Sequence, residues 1–595
     1  MVTITIDERP ISVPEGSSLL DAAAQAGISI PTLCYLKDLN CIGSCRVCLV
    51  DVEGQGMVAS CNTAAQEGMV VHTNTMEVTN ARRENLQEIM NEHRALCATC
   101  VRQDTCALRF LSARFDVADA DGEPPEKGAW DESFPLQRDS SKCISCMRCV
   151  AICEKVQHCN VWDFTGVGPD AKIIVRDGLP ITEAGCSLCG QCITHCPTGA
   201  LTARDDIPCI MKAILDPNVM TVVQVAPAVR TAWGEGIGLS REEATPGRLA
   251  SALRSLGFDK VFDTDFAADL TIMEEASEFL EFFGSDCERP MFTSCCPGWV
   301  RFAKQHYPHM VDRLSSAKSP HQMLGAVVKN TLGAEAQEAG KGLFVVSIMP
   351  CVAKKYECSV PELSTTPEGA EPEFGAEAAQ TKTVEGELTA QAQQDVDAVL
   401  SVREFDRLLR ASWIDCASLE ETDFDSPLGL STGAATIFGR TGGVMEAALR
   451  SAAYFLTGQN PDFSTCDTTA ASPETPWLAK ELDIAGTKVR IAIASGLENT
   501  ATLLDAIDSG AESFDSVEIM ACPGGCVGGG GQPIRFNAEQ AKDRAAVLDR
   551  LDSADSLRYS HENPDITRLY DEWLEKPLSH RAHDWLHTDQ EAWQI

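Results

Sequence analysis

Basic residues are scarce in this chain. Its 49 lysines and arginines face 87 aspartates and glutamates, a formal net charge of −38 over 595 residues. A surface that acidic repels polyanions, which excludes non-specific nucleic-acid binding and docking on anionic membranes. Long apolar runs are also missing: no uninterrupted stretch reaches the ~20 residues of a membrane-spanning helix. The N-terminal MVTITIDERPISVPEG alternates like a strand and turns at Pro14-Glu15-Gly16. It lacks the basic and apolar regions of a secretory signal. No nucleotide or flavin motif is evident, so any NAD(P)H chemistry would need a partner chain. These absences point to a cytoplasmic protein with no membrane insertion. What the chain has in quantity is cysteine, 27 in all. In a reducing compartment so many thiols read as metal ligands rather than disulfides.

The cysteines cluster, and the clusters mark domains. Residues 1–77 open as a hairpin followed by the helical SSLLDAAAQAG, then Cys34-x10-Cys45-x2-Cys48-x12-Cys61. This spacing resembles a plant-type [2Fe–2S] ferredoxin, with a longer first gap than the usual C-x4-C-x2-C. The gap matches the variant found in large multi-cluster oxidoreductases, and Cys41 is read as a bystander. In residues 78–125, Leu86, Ile89, Met90 and His93 are expected on one helix face, followed by His93-x3-Cys97-x2-Cys100-x5-Cys106. One imidazole and three thiolates suit zinc or a [4Fe–4S] cluster, and only the neighbouring clusters favour iron–sulfur. Residues 126–207 contain two C-x2-C-x2-C-x3-C runs, CISCMRCVAIC and CSLCGQCITHCP. In this two-cluster ferredoxin signature the fourth cysteine of each run serves the other cluster. One cluster is therefore expected on Cys143, Cys146, Cys149 and Cys196, the other on Cys153, Cys186, Cys189 and Cys192. Electron transfer weakens steeply with distance, so a row of such centres reads as a wire.

From residue 208 the pattern becomes α/β. The apolar runs VMTVVQVAP, KGLFVVSIMPC, KVRIAIASG and SVEIMACPGGC read as buried strands, with helical stretches such as GVMEAALRSAAYFL between them. Several of these runs end at cysteine or proline, and sites in α/β sheets gather at the carboxyl ends of strands. Residues 363–394, acidic and nearly free of large apolar side chains, read as a mobile surface insertion. Three motifs stand out: TSCCPGW at 293–299, MPCVAKKYE at 349–357 and MACPGGCVGGGGQP at 520–533.

Together with the cluster domains, these motifs resemble the monomeric [FeFe]-hydrogenases that carry four accessory clusters. The resemblance covers nearly the whole chain. It implies a multidomain α+β and α/β protein, with ferredoxin-type domains ahead of a large two-lobed α/β domain over 208–535. That domain would hold the H-cluster, a [4Fe–4S] cubane joined through cysteine sulfur to a diiron unit with CO, cyanide and an azadithiolate bridge. Three [4Fe–4S] clusters and one [2Fe–2S] cluster would accompany it. Matched by motif, Cys296, Cys351, Cys522 and Cys526 would ligate the cubane, with Cys526 bridging. Lys354 would pair with one cyanide, and Pro227 and Ala228 would lie near the other. Pro320, His321, Met349, Phe438, Val444 and Met520 would surround the diiron unit. His321 stands where other members often carry glutamine. The GGGG of 528–531 is read as permitting close approach of backbone to the cofactor.

The resemblance also implies a proton path. Cys295 matches the family's relay thiol, while Glu275 and Glu278 (i,i+3 on a helix) and Ser315 match its carboxylate–hydroxyl line. The arginine that other members carry at the outer mouth falls on Phe282 by ungapped count, so the outermost group is unassigned. Residues 536–595 resemble the family's C-terminal belt. Seven cysteines remain over: Cys41, Cys159, Cys209, Cys287, Cys358, Cys416 and Cys466. The implied activity is reversible proton reduction to H2. The implied partners are ferredoxin or a similar one-electron carrier, and maturation proteins for the diiron unit. Alternatives are the catalytic subunit of an NAD-linked bifurcating complex, or a sensory protein, whose members typically lose the relay cysteine. The first 207 residues alone would fit the iron–sulfur subunit of respiratory NADH:quinone oxidoreductase, which does not account for the three later motifs.

Overall fold

The computed structural model describes residues 1–118, 125–285, 287–365, 394–468, 475–484, 486–535 and 540–595. The insertion expected over 363–394 lies almost wholly outside them.

The first domain is a five-stranded sheet. The hairpin Val2–Ile6/Arg9–Val13 is joined through Val70–His72, parallel to the first strand, to the antiparallel pair Leu49–Val52 and Gly56–Ala59. Helix Leu19–Gln25 is capped by the Ser18 hydroxyl, which accepts from Asp21 N–H. It lays Leu19, Leu20, Ala22 and Ala23 against Ile4, Ile6, Val50 and Val71. The next helix, Met76–Asn91, buries Leu86 and Met90 as its period demands. It ends at Asn91, so His93 sits in the following turn and not on that face.

The third domain shows its internal repeat in the backbone. Helices Arg148–Lys155 and Gln191–His195 are each preceded by a left-handed residue, Met147 at φ 61° and Gly190 at φ 72°. The equivalent Ser145 and Leu188 are left-handed too. Glycine is needed only in the second repeat: a Cβ at Gly190 would lie 2.9 Å from both Gly530 Cα and Val352 Cγ2.

The catalytic region has the expected two lobes. One sheet runs Lys260–Asp263, Val219–Val225, Gly342–Met349, Ala398–Ser401, all parallel. The other runs Met291–Phe292, Ser516–Met520, Thr487–Ser495, Trp477–Ile484, with the last strand antiparallel. Helix Thr264–Phe283 packs on helices Gly443–Thr457 and Pro320–Glu338. The apolar faces of Thr264–Phe283 and Pro320–Glu338 merge with the first sheet in one core around Phe262, Phe266, Met323 and Val346, while Gly443–Thr457 packs Met445 and Leu449 against Ile491 and Ile493 of the second sheet.

Lys355 ties the ferredoxin-type domain to this region. Its ammonium, with none of its side chain exposed, donates to Asp206 Oδ2 at 2.7 Å, Glu404 Oε1 at 3.1 Å and the Val399 carbonyl. Lys355→Ala leaves two buried carboxylates without this cation, although Arg204 still pairs with Asp206. The expected cost is about 3 kcal/mol, the low end for breaking a buried ion pair. Anaerobic thermal unfolding of the full chain reads it as a lowered midpoint.

Candidate active site and its redox line

The cysteine groups assemble as their spacing requires. Cys146 and Cys149 have Cys143 and Cys196 as charged neighbours, and Cys192 has Cys189, Cys186 and Cys153. The interleaving of the two runs is thus present in space. Cys34 contacts Cys45, and Cys48 contacts Cys61. Exposed Cys41 points its thiol at the Leu36 carbonyl. Cys159 shares the small cavity of Cys153, Cys186, Cys189 and Cys192, its thiol against the Gln157 carbonyl and the Ser187 hydroxyl. Cys358 packs in the core of the first sheet, whereas Cys351 packs against the core of the second. Among the described residues no three His, Cys, Asp or Glu side chains converge on the tight geometry of a single ion.

The order of these sites is a fork, not a single file. The Asn40 amide donates to the carbonyls of Cys34 (2.7 Å) and Cys146 (2.9 Å), joining the first domain to the Cys143 group. The His93 group reaches that same cluster of thiols from another side. His93 Nδ1 lies 3.1 Å from the Lys142 carbonyl. The Cys100 thiol abuts Gly199, and buried Arg102 lies between Cys100, Cys106 and Cys196. The common stem then runs along helix Arg148–Lys155 to Cys189, whose carbonyl lies 3.8 Å from the Cys522 thiol.

Beyond Cys522, the ends of four strands close on one cavity. Ala226–Ala228 follow one strand, Met349–Cys351 another, Cys295 and Cys296 a third, and Met520–Cys522 a fourth. Of the residues expected there, Pro227, Ala228, Pro320, His321, Met349, Lys354, Phe438 and Met520 line it, as do all five thiols. Val444 does not; it packs in the layer behind, against Phe438 and Met520. Thr264, Gly439 and Gly525 complete the wall.

The TSCCPGW loop is held rigidly. Pro297 starts helix Pro297–His306, where a missing N–H costs nothing. The Trp299 indole closes the loop by donating to the Thr293 carbonyl at 3.0 Å. Cys296 Sγ accepts from Ala521 N–H at 3.5 Å and neighbours Cys351, Cys522 and Cys526. Glu275 is the carboxyl that bears most on the Cys295 thiol. Burial pushes all five thiols up, Cys351 to about 11. A thiolate there therefore needs a cationic partner, which bound iron provides. Four desolvated thiols around an apolar hollow, with buried His321 Nε2 facing no partner, fit a bulky iron–sulfur group.

Glu357 is a site residue missing from the sequence reading. Buried, it accepts from Lys354 Nζ (2.8 Å), His321 Nδ1 (2.8 Å) and the Ser319 hydroxyl (3.0 Å). Lys354 and His321 offset its burial and hold its carboxyl down to about 2. It fixes the ammonium, which also donates to the Cys295 carbonyl at 3.2 Å. The signal was its i,i+3 spacing from Lys354 in MPCVAKKYE. Glu518 was missed as well: it accepts from Gly442 N–H (2.6 Å) and Met445 N–H (2.7 Å) at the start of helix Gly443–Thr457. Gly529 of the glycine run lines the cavity, and the run also packs closely on neighbouring backbone. A Cβ on Gly528 would meet the Pro523 carbonyl at 2.1 Å, on Gly529 the Pro350 carbonyl at 2.2 Å, and on Gly530 the Cys189 carbonyl at 2.5 Å. These contacts are backbone on backbone. They also clamp the three cysteine loops together.

On the proton side, Glu275 and Glu278 share helix Thr264–Phe283. The Ser315 hydroxyl donates to Glu278 Oε2 at 2.5 Å. Neither Glu275 oxygen has a hydrogen bond of ordinary geometry. Its carboxyl is pushed up to about 8, first by burial and then by Glu278. Between pH 5 and 8 the folded chain thus keeps a proton that the unfolded chain releases, so this group's contribution to stability falls as pH rises. Glu275→Gln mimics the protonated acid. Its anaerobic unfolding midpoint is expected to gain on the parent's as pH goes from 5 to 8; a pH-independent difference would contradict the assignment.

Known proteins share this arrangement. A family built on the C-terminal domain of the iron-only hydrogenase large subunit matches residues 219–530. A 2Fe-2S iron-sulfur cluster binding domain matches 1–76, a 4Fe-4S binding domain 179–202, and an iron hydrogenase small subunit family 538–591. The NADP-reducing hydrogenase subunit HndD of Solidesulfovibrio fructosivorans is 43% identical over 603 residues, covering 99% of this chain and 98% of that protein. Iron hydrogenase 1 of Clostridium pasteurianum is 33% identical over 99% of both chains. A solved structure of an apo [FeFe]-hydrogenase HydA1 variant from Chlamydomonas reinhardtii is 36% identical, with a TM-score of 0.54 over 64% of this chain and 98% of its own.

Fold and site therefore define an iron–sulfur oxidoreductase of hydrogen metabolism. The chain belongs to the [FeFe]-hydrogenases, in a form with ferredoxin-like domains ahead of the H-cluster domain. Its activity is the interconversion of H2 with protons and electrons, and its cofactors are the H-cluster with [2Fe–2S] and [4Fe–4S] centres.

Proposed function

We propose that Cys296, Cys351, Cys522 and Cys526 hold the cubane of the H-cluster, with Cys526 bridging to the diiron unit. The convergence of these thiols at the strand ends carries this reading. Bound there, the H-cluster supplies redox iron and a basic amine where two protons and two electrons become H2. Lys354, fixed by Glu357, presents an ammonium to one anionic ligand, and the Pro227–Ala228 backbone faces another. Pro320, Met349, Phe438 and Met520 keep water out, Val444 supports them from behind, and His321 Nε2 offers one polar contact.

Electrons pass through one [2Fe–2S] cluster on Cys34, Cys45, Cys48 and Cys61 and three [4Fe–4S] clusters. The His93, Cys97, Cys100 and Cys106 set is the fourth accessory site, and the fork makes it a second input. His93→Cys is expected to shift one cluster's midpoint potential at unchanged iron content. An unchanged redox titration, or zinc in the metal analysis, would remove that cluster. Protons move between Cys295, Glu275, Ser315 and Glu278.

Ferredoxin or a similar one-electron carrier in the cytoplasm is the partner we favour, and maturation proteins install the diiron unit. Full-length likeness to a subunit of an NADP-reducing hydrogenase supports a second reading, in which further chains link this one to NAD(P). Native purification separates the two: a lone chain evolving H2 from reduced ferredoxin supports the first, and co-purifying subunits with NAD(P)-dependent turnover support the second. Among the described residues no helix is long and apolar enough to cross a membrane.

A further inference from the structure

The proton line does not stop at Glu278. The Ser316 N–H and hydroxyl both reach Glu278 Oε1, at 2.9 and 2.8 Å. The same hydroxyl lies 2.8 Å from His587 Nδ1, on the C-terminal belt. His587 Nε2 lies 3.0 Å from Glu274 Oε2, whose carboxylate also accepts from the Leu578 N–H (2.8 Å) and the Tyr570 hydroxyl. Exposed His583, one turn earlier, sets its ring centroid 4.3 Å from that of His587. The belt is registered on this segment: Lys318 N–H donates to the Leu586 carbonyl and Thr588 N–H to the Ser316 carbonyl.

We propose that Ser316 and His587 form the outer stage of the proton path, so that the belt supplies the station the catalytic domain lacks at Phe282. This rests on the reading that Glu278 belongs to the path. Glu274 already receives two other donors, so it is a carboxylate and His587 Nε2 carries a hydrogen toward it. When the Ser316 hydroxyl donates to Glu278, His587 Nδ1–H donates to Ser316 Oγ, and the ring is an imidazolium. One concerted shift moves the Nδ1 proton to Ser316 Oγ and the Ser316 proton to Glu278 Oε1. Neutral imidazole and protonated Glu278 result, and one proton has advanced with no other bond changed. His587 reloads from water by way of His583. The groups on the His587 ring are Glu274, Ser316 and His583, and His583 in turn lies near Glu274, Glu278 and Glu281.

The test uses matured full-length His587→Ala, Ser316→Ala and Glu278→Gln proteins, assayed for H2 evolution from a chemically reduced donor with and without imidazole. Both outer variants are expected to lose about tenfold. This is less than the ~10²-fold of an inner acid–base group, because half-buried Glu278 retains a slower route through water. Imidazole should restore His587→Ala and leave Ser316→Ala low, with parent-like infrared bands in both. Parent-like rates in His587→Ala would overturn the proposal. So would a loss that imidazole does not restore, which would make His587 only an anchor of the belt. Should His587→Ala fail to fold, Ser316→Ala decides alone: a rate at the parent level overturns the proposal. Parent-like rates in Glu278→Gln would instead remove the underlying path.

Discussion

Cys295→Ala is expected to lower H2 turnover by about 10²- to 10⁴-fold, the range for removing a positioned proton-transfer group. Iron content, accessory-cluster signals and the infrared bands of the H-cluster should all persist. The reason lies in how the two adjacent thiols are held. Cys296 caps helix Pro297–His306 and faces the other three thiols, while Cys295 faces Glu275. Neighbouring side chains diverge, so one can bind iron while the other exchanges protons. Cys295→Ser should be nearly as slow, since a hydroxyl in the same setting is a far weaker acid than a thiol. Substantial turnover in either variant would sink the relay assignment. Loss of iron with Cys295→Ala would instead make this thiol a ligand.

Cys526→Ala should reduce turnover to background by a different route. Cys526 opens a tight turn after Gly525, which is left-handed at φ 89°. Its carbonyl is held by Gly529 N–H at 2.9 Å, and the glycine contacts with Pro350 and Cys189 clamp the loop independently of the thiol. Alanine therefore removes the sulfur without releasing the backbone. CO and cyanide bands are expected to vanish while the accessory clusters keep their paramagnetic signals. Retained bands in Cys526→Ala would contradict the bridging assignment.

Short-range spacing made much of this legible before any coordinates. The interleaved ferredoxin runs were readable because ligand spacing within each run is local chemistry. The four strand runs were readable from their continuous apolar character, and two of them, KGLFVVSIMPC and SVEIMACPGGC, end in cysteines that later converge. What escaped depends on contacts between distant segments. His93 falls past the end of Met76–Asn91, because the hydrophobic period continues where the helix does not. The fork arises from Asn40 reaching Cys146 and from Gly199 lying against Cys100, and neither contact has a local signature. The tetraglycine places Gly529 in the cavity wall, and its backbone contacts with Pro350 and Cys189, which have no local signature, add a second reason for it. Glu357 stood in a quoted motif without a role, because its importance comes from three donors, two of them more than thirty residues away.

The central claim is that the cavity of Cys296, Cys351, Cys522 and Cys526 holds a complete H-cluster. An infrared spectrum of the matured, anaerobic protein tests it most directly. Metal-bound CO and cyanide absorb where no protein group does. The account predicts both kinds of band, lost in Cys526→Ala and retained in Cys295→Ala. A matured, iron-replete sample with neither kind of band would contradict it.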